Sequence, residues 1–231
     1  MYRDNRDGIR GARVREPAVT DIFYISLYSL SILLRRIVAH LPNQEANKII
    51  LDLGCGDKPY QPFFAGQYDS YIGVDINSKT LCDVNATADH LPFKDCVFDV
   101  CMCLQSYEHM ADPQEVTREV CRVLNKTGFF IMSTHAVAAV HDYPVDYWRW
   151  TDQGLRLLLG SYFSNILVHN VTDPIETLFQ LVVTYLPTNK LGLLIRVFLN
   201  KTASSIGKAL INRTLPRLVA DYLVTAERSK N

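Results

Sequence analysis

Lys48-Ile49-Ile50-Leu51-Asp52-Leu53-Gly54-Cys55-Gly56 is the stretch that decides the fold. A short apolar run meets Gly-x-Gly, with an acidic residue two places before the first glycine. Such a run reads as a parallel strand buried on both faces. The glycines allow a sharp turn and a close approach of ligand to backbone. Open α/β sheets bind ligands at this carboxyl edge. The pattern alone leaves the ligand open. A dinucleotide fingerprint asks for G-x-G-x-x-G. Here Asp57-Lys58-Pro59-Tyr60 follows Gly56, and the third glycine is missing.

Outward from this loop the chain alternates between strand and helix patterns. Ser70–Val74, Val97–Leu104, Gly128–Ser133, Ile166–Val171 and Leu218–Ala226 read as further strands. Pro113–Leu124 reads as a helix, with Asp112 as its N-cap and Asn125 to Gly128 as its exit. Asp152–Leu159 reads as another, capped by Thr151. Strands separated by helices predict a parallel, doubly wound sheet. Upstream, apolar residues at spacings of three and four predict a helix over Ala18–Leu41, ending at Pro42-Asn43. Residues 1–17 are expected to form a polar basic arm, and 18–231 a single domain. Within that domain lie a core at 48–135, a loop at 136–151 and an apolar helical insertion at about 173–215. In the insertion, Ile175–Leu186 and Leu191–Leu199 are both shorter than the ~20 residues of a membrane span. A hydrophobic lid or interfacial hairpin and ordinary packing against the sheet are both open readings.

Composition sets limits. At 231 residues with 48% hydrophobic and 21% charged residues, the chain can bury one sizeable core. Net charge is zero but unevenly spread. Residues 188–231 carry eight Lys/Arg against two Asp/Glu, and 41–187 carry nine against eighteen. Basic flanks fit either solvated helix faces or peripheral contact with an anionic surface. Nucleic acid is not expected as a partner of a chain with no net charge. The N-terminus lacks the apolar core of a signal peptide, and the six cysteines read as reduced thiols, so a cytoplasmic protein is expected. Cys101-Met102-Cys103 lacks metal-ligand spacing, and no metal is expected. In a strand those two thiols share one packed face.

Two further elements bear on the ligand. Tyr71-Ile72-Gly73-Val74-Asp75 ends a strand on an acid nineteen residues after Gly56, placed to accept both hydroxyls of a ribose. That chemistry serves NAD or S-adenosylmethionine. Ala88-Asp89-His90-Leu91-Pro92-Phe93 then precedes Asp95, Phe98 and Asp99. With Tyr107-Glu108-His109 and Arg122-Val123-Leu124-Asn125-Lys126-Thr127-Gly128, the order of motifs resembles the class I methyltransferases, in particular the methyltransferase type 11 group, over roughly residues 48–170. Thr127 and Asn125 depart from the group's usual residues on a surface turn.

The resemblance implies a Rossmann-like, mostly parallel seven-stranded sheet with an antiparallel last strand. It also implies S-adenosyl-L-methionine as cofactor. Asp52, Gly54, Cys55 and Gly56 would contact the methionine moiety and Asp75 the ribose. Asp89 would accept from the adenine amino group with the His90 backbone beside the ring, and Gln105 would border the methionine end. The acceptor would be a small molecule, with a saccharide or lipid-linked compound among the options.

Candidate acceptor-side groups cluster after the fourth strand, in His135 and in His141-Asp142-Tyr143-Pro144-Val145-Asp146-Tyr147-Trp148-Arg149-Trp150-Thr151. Loops at the carboxyl edge of a rigid sheet commonly carry chemistry. His141 is the first candidate base or orienting group, followed by His109 and Asp146. Against this, Asp146 with Arg149 reads equally as a structural ion pair, and the aromatics as core. Two other classes compete: a non-catalytic module that binds S-adenosylmethionine or S-adenosylhomocysteine, and an NAD-dependent oxidoreductase. The missing third glycine and the Asp89 element disfavour the second of these.

Overall fold

The computed structural model describes residues 16–41, 48–66, 68–141, 144–210 and 218–229. Most of the expected basic arm lies outside them, as do Asp142 and Tyr143. Helix α1 spans Tyr24–Ala39, and strands β1 (Ile49–Leu53), β2 (Ser70–Asp75), β3 (Val84–Asn85) and β4 (Phe98–Leu104) follow. Then come α2 (Pro113–Val123), β5 (Leu124–His135), α3 (Asp152–Leu159) and β6 (Phe163–Asn170). Helices α4 (Pro174–Thr184) and α5 (Lys190–Leu210) precede β7 (Asp221–Arg228). The sheet order is β3-β2-β1-β4-β5-β7-β6, and β7 runs antiparallel to both β5 and β6.

Alternation along the central strands divides the core into two layers. Leu51, Leu53, Cys101 and Cys103 face the side covered by α2 and α3, with Val116, Val120, Leu155 and Leu159. Ile50, Val100, Met102 and Leu104 face α1, against Leu30, Leu34 and Val38. The two thiols of β4 therefore share one packed face, as the period of a strand requires. The helix starts follow their caps. Asp112 accepts from the Gln114 and Glu115 amides, Thr151 from Gly154, and Asp173 forms a capping box with Glu176.

Three expectations change. The first helix begins at Tyr24, because Asp21 closes a local turn by accepting from the Ala18 amide. The Asn125–Gly128 stretch lies within β5, in a bulge between the Phe98–Leu124 and Val100–Phe129 pairs. A two-residue strand, β3, pairs beside β2.

Helices α4 and α5 pack against each other and on α1. Polar side chains tie them to the segment before α1. Gln180 donates to the Ile22 carbonyl at 2.6 Å, and Asn200 to the Val19 carbonyl at 2.7 Å. No helix among the described residues is long and apolar enough to cross a membrane.

Gly54 shows why the loop after β1 needs its first glycine. Its φ is +66°, and a Cβ there would lie 2.5 Å from Ser106 Oγ. Gly54→Ala should lower unfolding free energy by about 1–3 kcal/mol in urea titrations. Adding Ser106→Gly should recover the steric part and leave the φ penalty.

Candidate active site

The loop after β1 is held from beneath. The Gly54 and Cys55 amides both donate to the Val74 carbonyl, at 2.8 and 3.1 Å. The Gly56 amide donates to Asp75 Oδ2 at 2.9 Å, and the Asn77 amide to Asp75 Oδ1 at 2.8 Å. All three loop amides are thereby occupied. The segment that follows forms a 3-10 turn at Gln61–Phe64, with no α-helix before β2. Lys58 runs back under the sheet edge to Asp83 at 2.5 Å, and Asp83 also accepts from the Gly73 amide. A side chain at Gly73 would meet Lys58 Cε at 2.6 Å and Cys55 Sγ at 2.7 Å.

Asp52 lies lower still. It is 2% exposed, and the Tyr71 hydroxyl donates to its Oδ2 at 2.6 Å. Burial pushes its carboxyl up to about 7, against the Tyr71 hydrogen bond and the Lys58 charge. Asp75 stands half-buried at the end of β2. Asp89 is half-buried, and no partner engages its carboxylate among the described residues; His90 beside it is exposed. Asp52 and Asp75 thus stand at the carboxyl ends of the paired strands β1 and β2. Gln105 occupies the turn after β4 with φ +52°. Its amide is directed at Ser133 Oγ (3.2 Å) and Asp221 Oδ1 (3.4 Å).

That contact leads into a second polar cluster. The β5–β7 register sets His135 beside Asp221, and Asp221 accepts from His135 Nδ1 at 2.6 Å. His135 Nε2 lies 3.2 Å from Glu108 Oε1, while Glu108 Oε2 accepts from Thr134 Oγ1 at 3.0 Å. Burial lowers the His135 imidazole, but the Asp221 hydrogen bond and the Asp221 and Glu108 charges outweigh it and hold His135 at about 9. The His109 and His141 rings complete the cluster, with centroids 5.0 Å apart. Burial, with the His135 and His109 charges, pushes His141 down, so its imidazole is neutral near pH 7.

Of the acceptor-side residues anticipated from sequence, the fold brings His109 and His141 together. Asp146 lies beside them: its Oδ2 accepts from the His141 amide at 3.2 Å and stands 3.7 Å from His141 Nδ1. Arg149 grips both its oxygens at 2.5 Å and also donates to the Ala138 and Ala139 carbonyls. The ion-pair reading of Asp146 and Arg149 is the arrangement present. Sequence reasoning gave no role to Glu108 or Asp221. Glu108 was visible in Tyr107-Glu108-His109. Asp221 joins only through strand pairing across 86 residues, which no local pattern signals.

Residues 51–132 match the family model described as a methyltransferase domain. Over that segment the chain is similar to methyltransferase domains. It is 30% identical over 102 residues to the methyltransferase YcgJ of Bacillus subtilis, covering 37% of this chain and 40% of the relative. A Mycobacterium leprae methyltransferase, ML2584, is 28% identical over 98 residues, 37% of this chain and 36% of its own length. The chain thus spans less than half the length of the curated relatives it matches. The YcgJ structure superposes with a TM-score of 0.55 at 18% identity, covering 88% of this chain and 99% of YcgJ. The [4+2]-cyclase SpnF has the same fold at a TM-score of 0.55 and 15% identity, covering 87% of this chain and 82% of its own. The fold by itself therefore does not select the reaction.

Asp52 gives the fold a pH signature. A carboxyl whose folded value exceeds its unfolded one stabilises in the protonated form. That contribution is complete below pH about 4 and is lost as pH rises through about 7. Asp52→Asn keeps an acceptor for Tyr71 and cannot ionise. Relative to the parent chain it should gain on the order of 2 kcal/mol of stability between pH 5 and pH 8. Urea titrations at the two pH values check this.

Proposed function

We propose that the chain binds S-adenosyl-L-methionine and transfers its methyl group to a small-molecule acceptor at the Glu108–His135–His141 edge of the sheet. The observation that carries the cofactor part is the state of the loop. A pyrophosphate needs free amides and a helix N-terminus. In this loop the Gly54, Cys55 and Gly56 amides are taken, and no α-helix follows before β2. A cofactor without a pyrophosphate suits it. Asp75 keeps lone pairs beyond its two amide bonds for a ribose diol, and Asp89 offers a carboxylate without a partner. Gly54 and Gly56, both at positive φ, leave the backbone bare for the methionine end, and Asp52 lies buried at the end of β1 beneath them.

When bound, this cofactor supplies an electrophilic methyl group whose bonding pair leaves with the sulfur. The protein orients the acceptor in line and takes its proton. Neutral His141 is the group available for that proton, and His109 stands beside it. Calorimetry should show S-adenosylhomocysteine binding near one equivalent, and no heat with NAD. Asp75→Ala should weaken S-adenosylhomocysteine by at least about tenfold, the loss expected of a charge-assisted hydrogen-bonded pair. Binding of NAD in place of S-adenosylhomocysteine would overturn the reading.

A lipid-linked acceptor is favoured by one further observation. Leu178, Val182 and Tyr185 on α4 and Leu191, Leu194 and Phe198 on α5 are exposed at helical spacing, Tyr185 by 76% and Leu194 by 68%. Outward apolar stripes on two neighbouring helices, with Lys190 and Lys201 exposed beside them, match the headgroup region of an anionic bilayer. The chain should float with phosphatidylglycerol vesicles at low salt. Leu194→Glu with Phe198→Glu should abolish flotation; absence of flotation by the parent chain would remove membrane contact from the reading.

A further inference from the structure

Glu108 has an unusual position for a carboxylate. It is fully buried, yet among the described residues its Oε1 accepts no hydrogen bond. His135 Nε2 is only 3.2 Å away, but its N–H is not aligned with the oxygen. Two polar atoms that are close but misaligned converge on a point off the line between them. His141 Nδ1 is likewise buried without a hydrogen-bond partner. Leaving such groups unsatisfied costs about 1–3 kcal/mol each, more for a charge.

We propose that Glu108, His135 and His141 form a binding site for a divalent cation of the zinc type. One ligand atom from each lies within 4.8 Å of the others. Zinc bonds of about 2.1 Å in a tetrahedron set ligand atoms roughly 3.4 Å apart. The Glu108–His135 edge already has that length. Rotation of the His141 side chain, 35% exposed, closes the others. Two imidazoles and one carboxylate are a donor set for zinc and related transition metals rather than for magnesium or calcium.

The surroundings prepare the ligands. Asp221 holds His135 through Nδ1, fixing the ring so that Nε2 faces Glu108. A carboxylate behind a histidine is the usual outer support of a metal ligand. The Val145 carbonyl holds His109 Nδ1 at 2.9 Å, which keeps that ring beside the site. A second set, His109, His141 and Asp146, shares His141 but is weaker, because Arg149 already neutralises Asp146. A divalent charge would also balance the two buried carboxylates, Glu108 and Asp221.

Three protein ligands leave a coordination position open. An oxygen of the acceptor is the ligand class that position would take. The cation then holds and polarises the acceptor; with His141 engaged as a ligand, the proton that His141 would take in a metal-free site passes instead to His109 beside it. This role rests on the proposed methyl transfer; the cation site itself does not.

The test uses the purified full chain without an affinity tag, stripped with chelator and titrated with cobalt(II). Binding is followed by d–d absorption and by zinc(II) competition. One equivalent should bind with a nitrogen and oxygen spectrum. Glu108→Gln and His141→Ala should each weaken binding by at least tenfold. His141→Ala decides the matter if Glu108→Gln fails to fold by circular dichroism. No saturable binding, unchanged affinity in His141→Ala, or a thiolate charge-transfer band from the cysteines would overturn the site. Calorimetry with S-adenosylhomocysteine on the same samples separates the two ideas. Homocysteine-adduct binding without cobalt binding sinks the cation site alone, and cobalt binding without it sinks the proposed methyl transfer alone.

Discussion

The carboxyl edge of this sheet depends on one strand pairing. β7 enters between β5 and β6 against the direction of its neighbours, and its register puts Asp221 opposite His135. A slip of one residue would turn Asp221 to the other face. His135 would lose the acceptor at Nδ1, and Glu108 would lose the ordered imidazole beside it. Gln105 would lose the carboxylate that draws its amide across the turn after β4. The Gln105 turn and the Glu108–His135 cluster are joined through this one pair.

Much of the architecture was legible because local physics wrote it. Strand β1 announced itself by an apolar run stopped at Gly54, and α2 and α3 by Asp112 and Thr151 at their N-caps. What stayed hidden was non-local. The bulge in β5 depends on how β4 runs beside it, and the two residues of β3 are too few to carry a pattern. At the site, Gly54, Gly56 and Asp75 could be placed from spacing alone. Asp146 could be named, but its capture by Arg149 against the Ala138 and Ala139 carbonyls needed the folded loop. Glu108 looked like part of a motif; only packing shows it buried beside His135.

The similarity to other chains has the same boundary. The matched segment, 51–132, holds the end of β1, all of β2 to β4 and most of β5, together with Asp52, Asp75, Asp89 and Gln105. His135, His141, Asp146 and Asp221 all lie beyond it. Family resemblance therefore bears on the half of the edge that would hold a nucleoside. Of the other half only Glu108 and His109 fall within the matched segment, and physical argument from the chain's own side chains has to carry it.

The clamp between the segment before α1 and helices α4 and α5 has a consequence for what counts as a unit here. Gln180, Arg196 and Asn200 are buried, and each reaches a backbone carbonyl in residues 19–22. A shortened chain starting at β1 would keep every strand and the whole nucleoside half. It would nonetheless uncover the apolar layer under α1 and strand three buried polar side chains at once. The segment that is shared with relatives is thus smaller than the segment that can fold. Inheritance and cooperativity draw their borders in different places along this sequence.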